Sequence, residues 1–281
     1  MRYLKQINLK NYKWVLLISI IIISSFSVVI VGSAKESLQS RQLMGVIAGC
    51  AGMVLVSFID YKWILKLQWF IYAISVSLVI FVLFFGKNVN GATRWIDFGF
   101  VSFQPSEFIK IFLVIFFAKF FHDRKDCINT WKTIILAIVL IGIPVFFIVK
   151  QPDLSTTLSI AFVFVLLLYL SGLSYKIIGI VLAITIPTIV LLFLYVIQPD
   201  QILIQSYQQD RILAWLDPDS YADDTAYQQT NSIIAIGSGQ LTGKGINNNT
   251  TTSVKNGNFI SEPQTDFIFA IIGEELGFRG C

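Results

Sequence analysis

Seven stretches of 17 to 20 mainly apolar residues dominate this 281-residue chain: 14–32, 43–59, 69–85, 105–121, 133–149, 156–173 and 177–196. A lipid-spanning helix needs about 20 such residues, and only helices or closed barrels satisfy the backbone hydrogen bonds inside a bilayer. The runs are continuous, without the alternation of barrel strands, so they predict helices. Composition points the same way, with 55% apolar and 14% charged residues, where soluble domains carry about a quarter charged. A soluble fold would leave too much apolar surface in water. The first run is too long for a removed signal peptide and has no small-residue cleavage site.

Orientation follows from the short loops. With the N-terminus in the cytoplasm, the inner segments hold Arg2, Lys5, Lys10, Lys13, Lys62, Lys66, Lys119, Arg124, Lys125, Lys132 and Lys176, and the outer loops hold only Lys35, Arg41, Lys87, Arg94 and Lys150. That excess predicts a cytoplasmic N-terminus. Trp14, Trp63, Trp69, Trp95 and Trp131 fall at or near span ends, where interfacial aromatics sit. Two parts result: 1–196 as seven transmembrane helices with short loops, and 197–281 as a large extracytoplasmic segment. The second part holds ten of the 17 acids and is too long for a plain connection, so it is the expected working part. Within it, 232–236 and 265–277 read as short helices, the second with Asp266 in its first turn. The chain stops before an eighth span, so further membrane helices are expected beyond Cys281.

Cys50, Cys127 and Cys281 are widely spaced, and His122 is the single histidine, in a charged loop. No disulfide framework or zinc ligand set can be read from them. Chemistry must then rest on carboxylates, lysines, arginines and hydroxyls. The net charge of +4 is small, and no nucleic-acid partner is expected.

Glu107 and Lys110 lie three apart in the fourth run, on one helix face within ion-pair reach. They read either as an interfacial pair near a helix start capped by Ser106, or as the lining of a polar cavity open to the outer face. Asp153, in Gln151-Pro152-Asp153, either caps the next helix or serves a site. Arg94 and Trp95 suit a phosphate and an apolar chain, or a snorkelling interfacial pair. The stretch 236–245 looks like a phosphate loop but fails its test: Ser238 stands where glycine is needed, Gly245 follows Lys244, and no strand precedes it. A glycine-rich turn remains, whose amides and Lys244 can hold a diphosphate. Asn248-Asn249-Thr250 matches a glycosylation sequon and is assigned to loop composition. Asp266 stands beside Phe267, Ile268 and Phe269. It reads either as favourable charge at a helix start or, made more basic by apolar neighbours, as a proton acceptor.

Together these stretches resemble one family, the SEDS proteins (RodA, FtsW, SpoVE). The resembling pieces are Gly91-Ala92-Thr93-Arg94-Trp95-Ile96, Gln104-Pro105-Ser106-Glu107 with Lys110, Gln151-Pro152-Asp153-Leu154, Tyr227-Gln228 with Asn231-Ser232, the glycine-rich stretch 235–245, and Thr265-Asp266-Phe267-Ile268-Phe269-Ala270 followed by Gly273-Glu274-Glu275-Leu276-Gly277. They run in family order from the third span to the terminus. The resemblance implies an all-α polytopic membrane protein, a SEDS-type helical bundle of about ten spans with a large extracytoplasmic loop. It implies a glycosyltransferase that polymerises lipid II into peptidoglycan, Asp266 as the essential acid, and Glu107 with Lys110 as a pair important for activity. Thr93, Ser155, Asn231, Ser261 and Gln264 depart from the usual Gln, Gly, Gln, Pro and His; the Gln-Pro-Asp-Leu loop leans towards RodA-like elongation proteins.

The chemistry expected is inverting transfer at the outer face of the bacterial cytoplasmic membrane. Asp266 takes the proton of the acceptor hydroxyl, which attacks the anomeric carbon of a lipid diphosphate. Arg94, Lys110, Arg211 and Lys244 are candidate partners of the leaving diphosphate; a divalent cation is a further candidate, although no ligand spacing marks one. A class B penicillin-binding protein is the expected protein partner. The competing readings are a lipid-linked precursor flippase, with Glu107, Lys110 and Asp153 along the path, and a non-catalytic scaffold for a transpeptidase.

Overall fold

The computed structural model describes residues 12–89, 92–97, 102–151, 153–204, 206–221, 226–248, 253, 256–257 and 259–281. Arg2, Lys5, Lys10, Gly91, Pro152, Asp223, Asp224 and the Asn249-Thr250 half of the sequon lie outside them.

Each of the seven apolar runs folds as a helix. They are α1 (Trp14–Ala34), α2 (Glu36–Ser57), α4 (Gln68–Phe85), α5 (Pro105–His122), α6 (Trp131–Val149), α7 (Leu154–Leu170) and α8 (Tyr175–Val196), with a short α3 (Tyr61–Lys66) between the second and third. Five of them, α1, α2, α4, α6 and α8, are long and apolar enough to cross a membrane by length and composition. The other two fall short for visible reasons: α7 has 17 residues, and α5 carries Glu107, Lys110 and Lys119. The largest boundary difference is α2, which starts at Glu36, seven residues before its apolar run, so that Lys35 alone separates it from α1. Polar Glu36, Gln39 and Arg41 propagate a helix as well as apolar residues do, and an apolar pattern does not register them. His122 ends α5 instead of lying in a loop.

The segment after α8 holds α9 (Ser206–Leu216), α10 (Tyr227–Ser238) and α11 (Ile268–Gly280). The expected pieces at 232–236 and 265–277 correspond to α10 and α11. However, α11 starts at Ile268, so Asp266 precedes the helix instead of lying in its first turn. Strands not expected from the sequence fill the α4–α5 connection: β1 (Lys87–Val89), β2 (Ala92–Asp97) and β3 (Ser102–Phe103), antiparallel in the order β1-β2-β3.

Two compact units result, Met1–Phe58 with Val190–Cys281, and Ile59–Ile189. The second is built on a phenylalanine-rich core. Phe116, Phe117, Phe120 and Phe121 of α5 are fully buried against Tyr72 and Val79 of α4, Ala137 and Ile148 of α6, and Phe164 of α7. Tyr72 also closes its own polar end by donating to the Leu140 carbonyl at 2.8 Å, as a buried phenol must. In the first unit, Ile30 of α1 packs with Ala235 of α10, Ile260, and Ala270 and Ile271 of α11. The outward faces of α2 and α8 stay apolar, with none of their most apolar 18-residue windows buried, which is the surface lipid requires.

Candidate functional site

In the second unit the sheet and the α6–α7 turn meet around Asp153. This residue is 2% exposed and caps α7 by accepting from Thr156 N at 3.1 Å, with Thr156 Oγ1 donating at 2.9 Å and Ser155 Oγ at 3.1 Å. Two further groups approach it: Gln104 Nε2 at 3.4 Å and Arg94 Nη1 at 3.9 Å. Arg94 Nε also donates to the Gln151 carbonyl at 3.1 Å, and the Gln151 amide is itself buried, donating to Val79 O at 2.9 Å. The reading of Asp153 as a helix cap holds, and the fold adds that the same carboxylate orients Arg94. Trp95, next on β2, is half-buried and pairs in register with Lys87.

Glu107 and Lys110 form the expected ion pair at 2.9 Å, with side chains 54% and 30% exposed. Two details differ from expectation. Ser106 does not cap α5: Gln104 is the N-cap residue without a side-chain capping bond, Pro105 takes the first turn, and Ser106 accepts from Gln104 Nε2. The cavity beside the pair is not polar either. It is an apolar space of about 140 Å³ among α5, α6 and α7, lined by Leu113, Phe117, Ile141 and Phe164, with Lys110 its charged residue.

In the first unit Asp266 is exposed on a turn that is fixed on both sides. Glu262 O accepts from Thr265 N and Asp266 N, each at 3.2 Å, and Glu262 takes a left-handed φ of 50°. Ahead of the turn Ile260 is buried, and Gln228 of α10 donates to Ser261 Oγ at 2.6 Å; behind it Phe267 and Ile268 pack on the same apolar cluster. The apolar neighbours hold the backbone and leave the carboxylate exposed instead of enclosing it. Arg211 is exposed on α9.

The glycine-rich stretch does not form a phosphate loop; it lies along α11. Lys244 N and Gly245 N donate to Glu274 O and Glu275 O, both at 2.9 Å, while Phe278 N and Arg279 N donate back to Gln240 O and Leu241 O at 2.8 and 3.2 Å. Such close backbone contact explains the glycines. A Cβ on Gly239 would sit 1.9 Å from Gly273 O, and one on Gly243, at φ 78°, would sit 2.2 Å from Glu275 O. Lys244 Nζ pairs with Glu274 at 2.8 Å, so its ammonium is engaged with an acid 1% exposed. Ser253 Oγ donates to the other Glu274 oxygen at 3.2 Å.

Glu274 and Glu275 stand in the family motif, and the sequence alone assigns them no role. Two adjacent acids after the apolar run 267–272 were the available signal. Among the described residues, no group of three or more His, Cys, Asp or Glu side chains is arranged to hold a metal ion. No step is assigned to one.

Residues 7–281 match the model of the FtsW, RodA and SpoVE proteins, described as cell cycle proteins. The chain belongs to this family. Its relatives include peptidoglycan glycosyltransferase MrdB of Escherichia coli K12, 32% identical over 275 residues covering 98% of this chain and 71% of MrdB. Another is the probable peptidoglycan glycosyltransferase FtsW of Haemophilus influenzae, 37% identical over 224 residues, 78% of this chain and 52% of that protein. Among solved structures, a chain in a peptidoglycan synthase complex that coordinates polymerization and crosslinking superposes with a TM-score of 0.71 at 26% identity, over 96% of this chain and 73% of that one. Thermus thermophilus RodA shares the fold with a TM-score of 0.60 at 22% identity, over 96% and 69% of the two chains. Within the FtsW, RodA and SpoVE family this chain is a multi-pass helical membrane protein.

Proposed function

We propose that this chain is a peptidoglycan glycosyltransferase that polymerises lipid II by inverting transfer at the outer face of the bacterial cytoplasmic membrane. Its named relatives are described as a peptidoglycan glycosyltransferase and a probable one. The observation that carries the residue assignment is the exposed Asp266 carboxylate on a turn held from both sides. A general base needs access to the hydroxyl proton and a fixed position, and Asp266 has both. The acceptor hydroxyl loses its proton to Asp266 as its oxygen bonds to the anomeric carbon, and the bond to the diphosphate breaks. The diphosphate leaves as an anion, so a cationic surface serves it better than a protein acid.

In the first unit Arg211 is the proposed diphosphate contact, since the Lys244 ammonium is already committed to Glu274; in the second, Arg94, with Trp95 beside it, and Lys110 are proposed contacts of the lipid-linked substrate. Asp153 is buried behind Arg94 and acts by holding it. Glu107 plays the same part for Lys110. An orienting acid leaves the cation in place while fixing its direction.

Counting spans from a cytoplasmic N-terminus puts the β1–β3 connection, the Gln151–Asp153 turn and 197–281 on the outer side. The contact of α1 with α11 occurs at the Ile30–Ala34 end, away from the N-terminus, which supports that placement. We further infer that residues 197–281 form the extracytoplasmic working part, and that the protein partner is a class B penicillin-binding protein. The test is polymerisation of lipid II by the purified full-length protein. Asp266→Asn is expected to abolish glycan strands; near-normal polymer would overturn the assignment.

A further inference from the structure

Two buried acids on α11 are left over once Asp266 has its role. Glu274 and Glu275 are each 1% exposed, where a carboxylate persists only with partners that replace its water. Being adjacent on a helix, they point in different directions, and each holds a different element. Glu274 takes Lys244 and Ser253. Glu275 takes α1: Ser33 Oγ lies 2.6 and 2.7 Å from its two carboxylate oxygens, and the same hydroxyl accepts from Asn247 N at 3.1 Å. One serine therefore joins α1, the segment that follows the glycine-rich stretch, and α11.

We propose that the Ser33–Glu275 contact is a positioning device for catalysis, fixing α11, and through its N-terminal end the Asp266 turn, to the end of α1. The inference rests on Asp266 being the base. Four observations support it. The contact is buried, so solvent does not compete with it. It is local to the first unit, in which Asp266 also lies. It acts on the part of α11 that precedes the break at Gly277 (φ 64°), where the Glu274 and Glu275 carbonyls accept from Lys244 N and Gly245 N, so a shift at Glu275 is carried back along the continuous helix to Ile268. Finally, the helix begins two residues after Asp266, which leaves little chain to absorb the shift. Displacement of a reacting group by about 1 Å can cost on the order of 10²-fold in rate.

The experiment compares Ser33→Thr with Ser33→Val in the purified full-length protein. The two replacements have nearly the same shape and differ in the hydroxyl. Steady-state polymerisation of lipid II gives kcat and KM, with Asp266→Ala and Glu275→Gln measured alongside. Expected are a kcat for Ser33→Val lower than that for Ser33→Thr by about tenfold, with KM within about twofold. Glu275→Gln, which keeps one accepting oxygen, falls between them. Equal kcat in the threonine and valine variants, at any level, overturns the proposal, as does a change confined to KM. Asp266→Ala separates the two claims. Activity in that variant refutes the base assignment, whereas an inactive Asp266→Ala beside equal Ser33 variants refutes only the positioning role.

Discussion

Asp266 is exposed, as is Glu107, while Asp153, Glu274 and Glu275 are buried and engaged. That contrast separates a group available to substrate from groups that hold structure. The Glu107–Lys110 pair lies between these extremes, partly exposed beside an apolar cavity. Lys110→Ala is expected to lower kcat by about 10²–10³-fold, the range for loss of a charge-stabilising donor. Glu107→Gln leaves the cation but loosens its direction, and is expected to fall short of that loss; polymer yield against time distinguishes the two. The pair stands out in the sequence because charges are few within the apolar runs, whereas Asp266, in an acid-rich segment, is marked by its apolar neighbours and by the family motif. Glu275 was not legible as a functional residue: its partner Ser33 is 242 positions away, and a serine near the end of an apolar run carries no signal of its own.

At the scale of elements, periodicity and composition located all seven long helices, since a run of apolar residues in lipid has one regular solution. The ends were less visible. Glu36 begins α2 although nothing apolar marks it, and the three short strands occupy a connection without strong alternation. The glycine-rich stretch was correctly rejected as a phosphate loop, yet its docking on α11 is made by backbone groups and so leaves no side-chain pattern. It is also close backbone-to-backbone packing that leaves no room for a Cβ at Gly239 or Gly243. Gly243→Ala adds a Cβ against Glu275 O at a left-handed φ and is expected to cost about 1–3 kcal/mol, read as a lower thermal midpoint in detergent. Asp153→Ala removes the α7 cap, worth about 0.5–2 kcal/mol, and takes away the carboxylate beside Arg94, which keeps its bond to the Gln151 carbonyl. Asp153→Asn keeps an acceptor for Thr156 and is expected to retain the thermal midpoint while losing activity; equal stability of both variants would contradict the capping account.

For the whole molecule, the fold and family follow from the matched 7–281 span, and the topology makes a claim of its own. With the N-terminus inside, the α5–α6 connection is cytoplasmic and the segment after α8 is outside. In a variant lacking Cys50 and Cys281, exposed Cys127 is then expected to resist a membrane-impermeant maleimide in intact cells, whereas Ser220→Cys in a variant lacking all three native cysteines is labelled; the reverse pattern would invert the orientation. A flippase or a scaffold would share this topology, so labelling does not separate them from a polymerase. The decisive measurement is polymerisation of lipid II by purified full-length protein and its Asp266→Asn variant, assayed side by side at matched, folded protein concentration. The account predicts long glycan strands from the first and a loss of at least about 10²-fold in the second; equal polymer from both, or none from the unsubstituted protein, would contradict it.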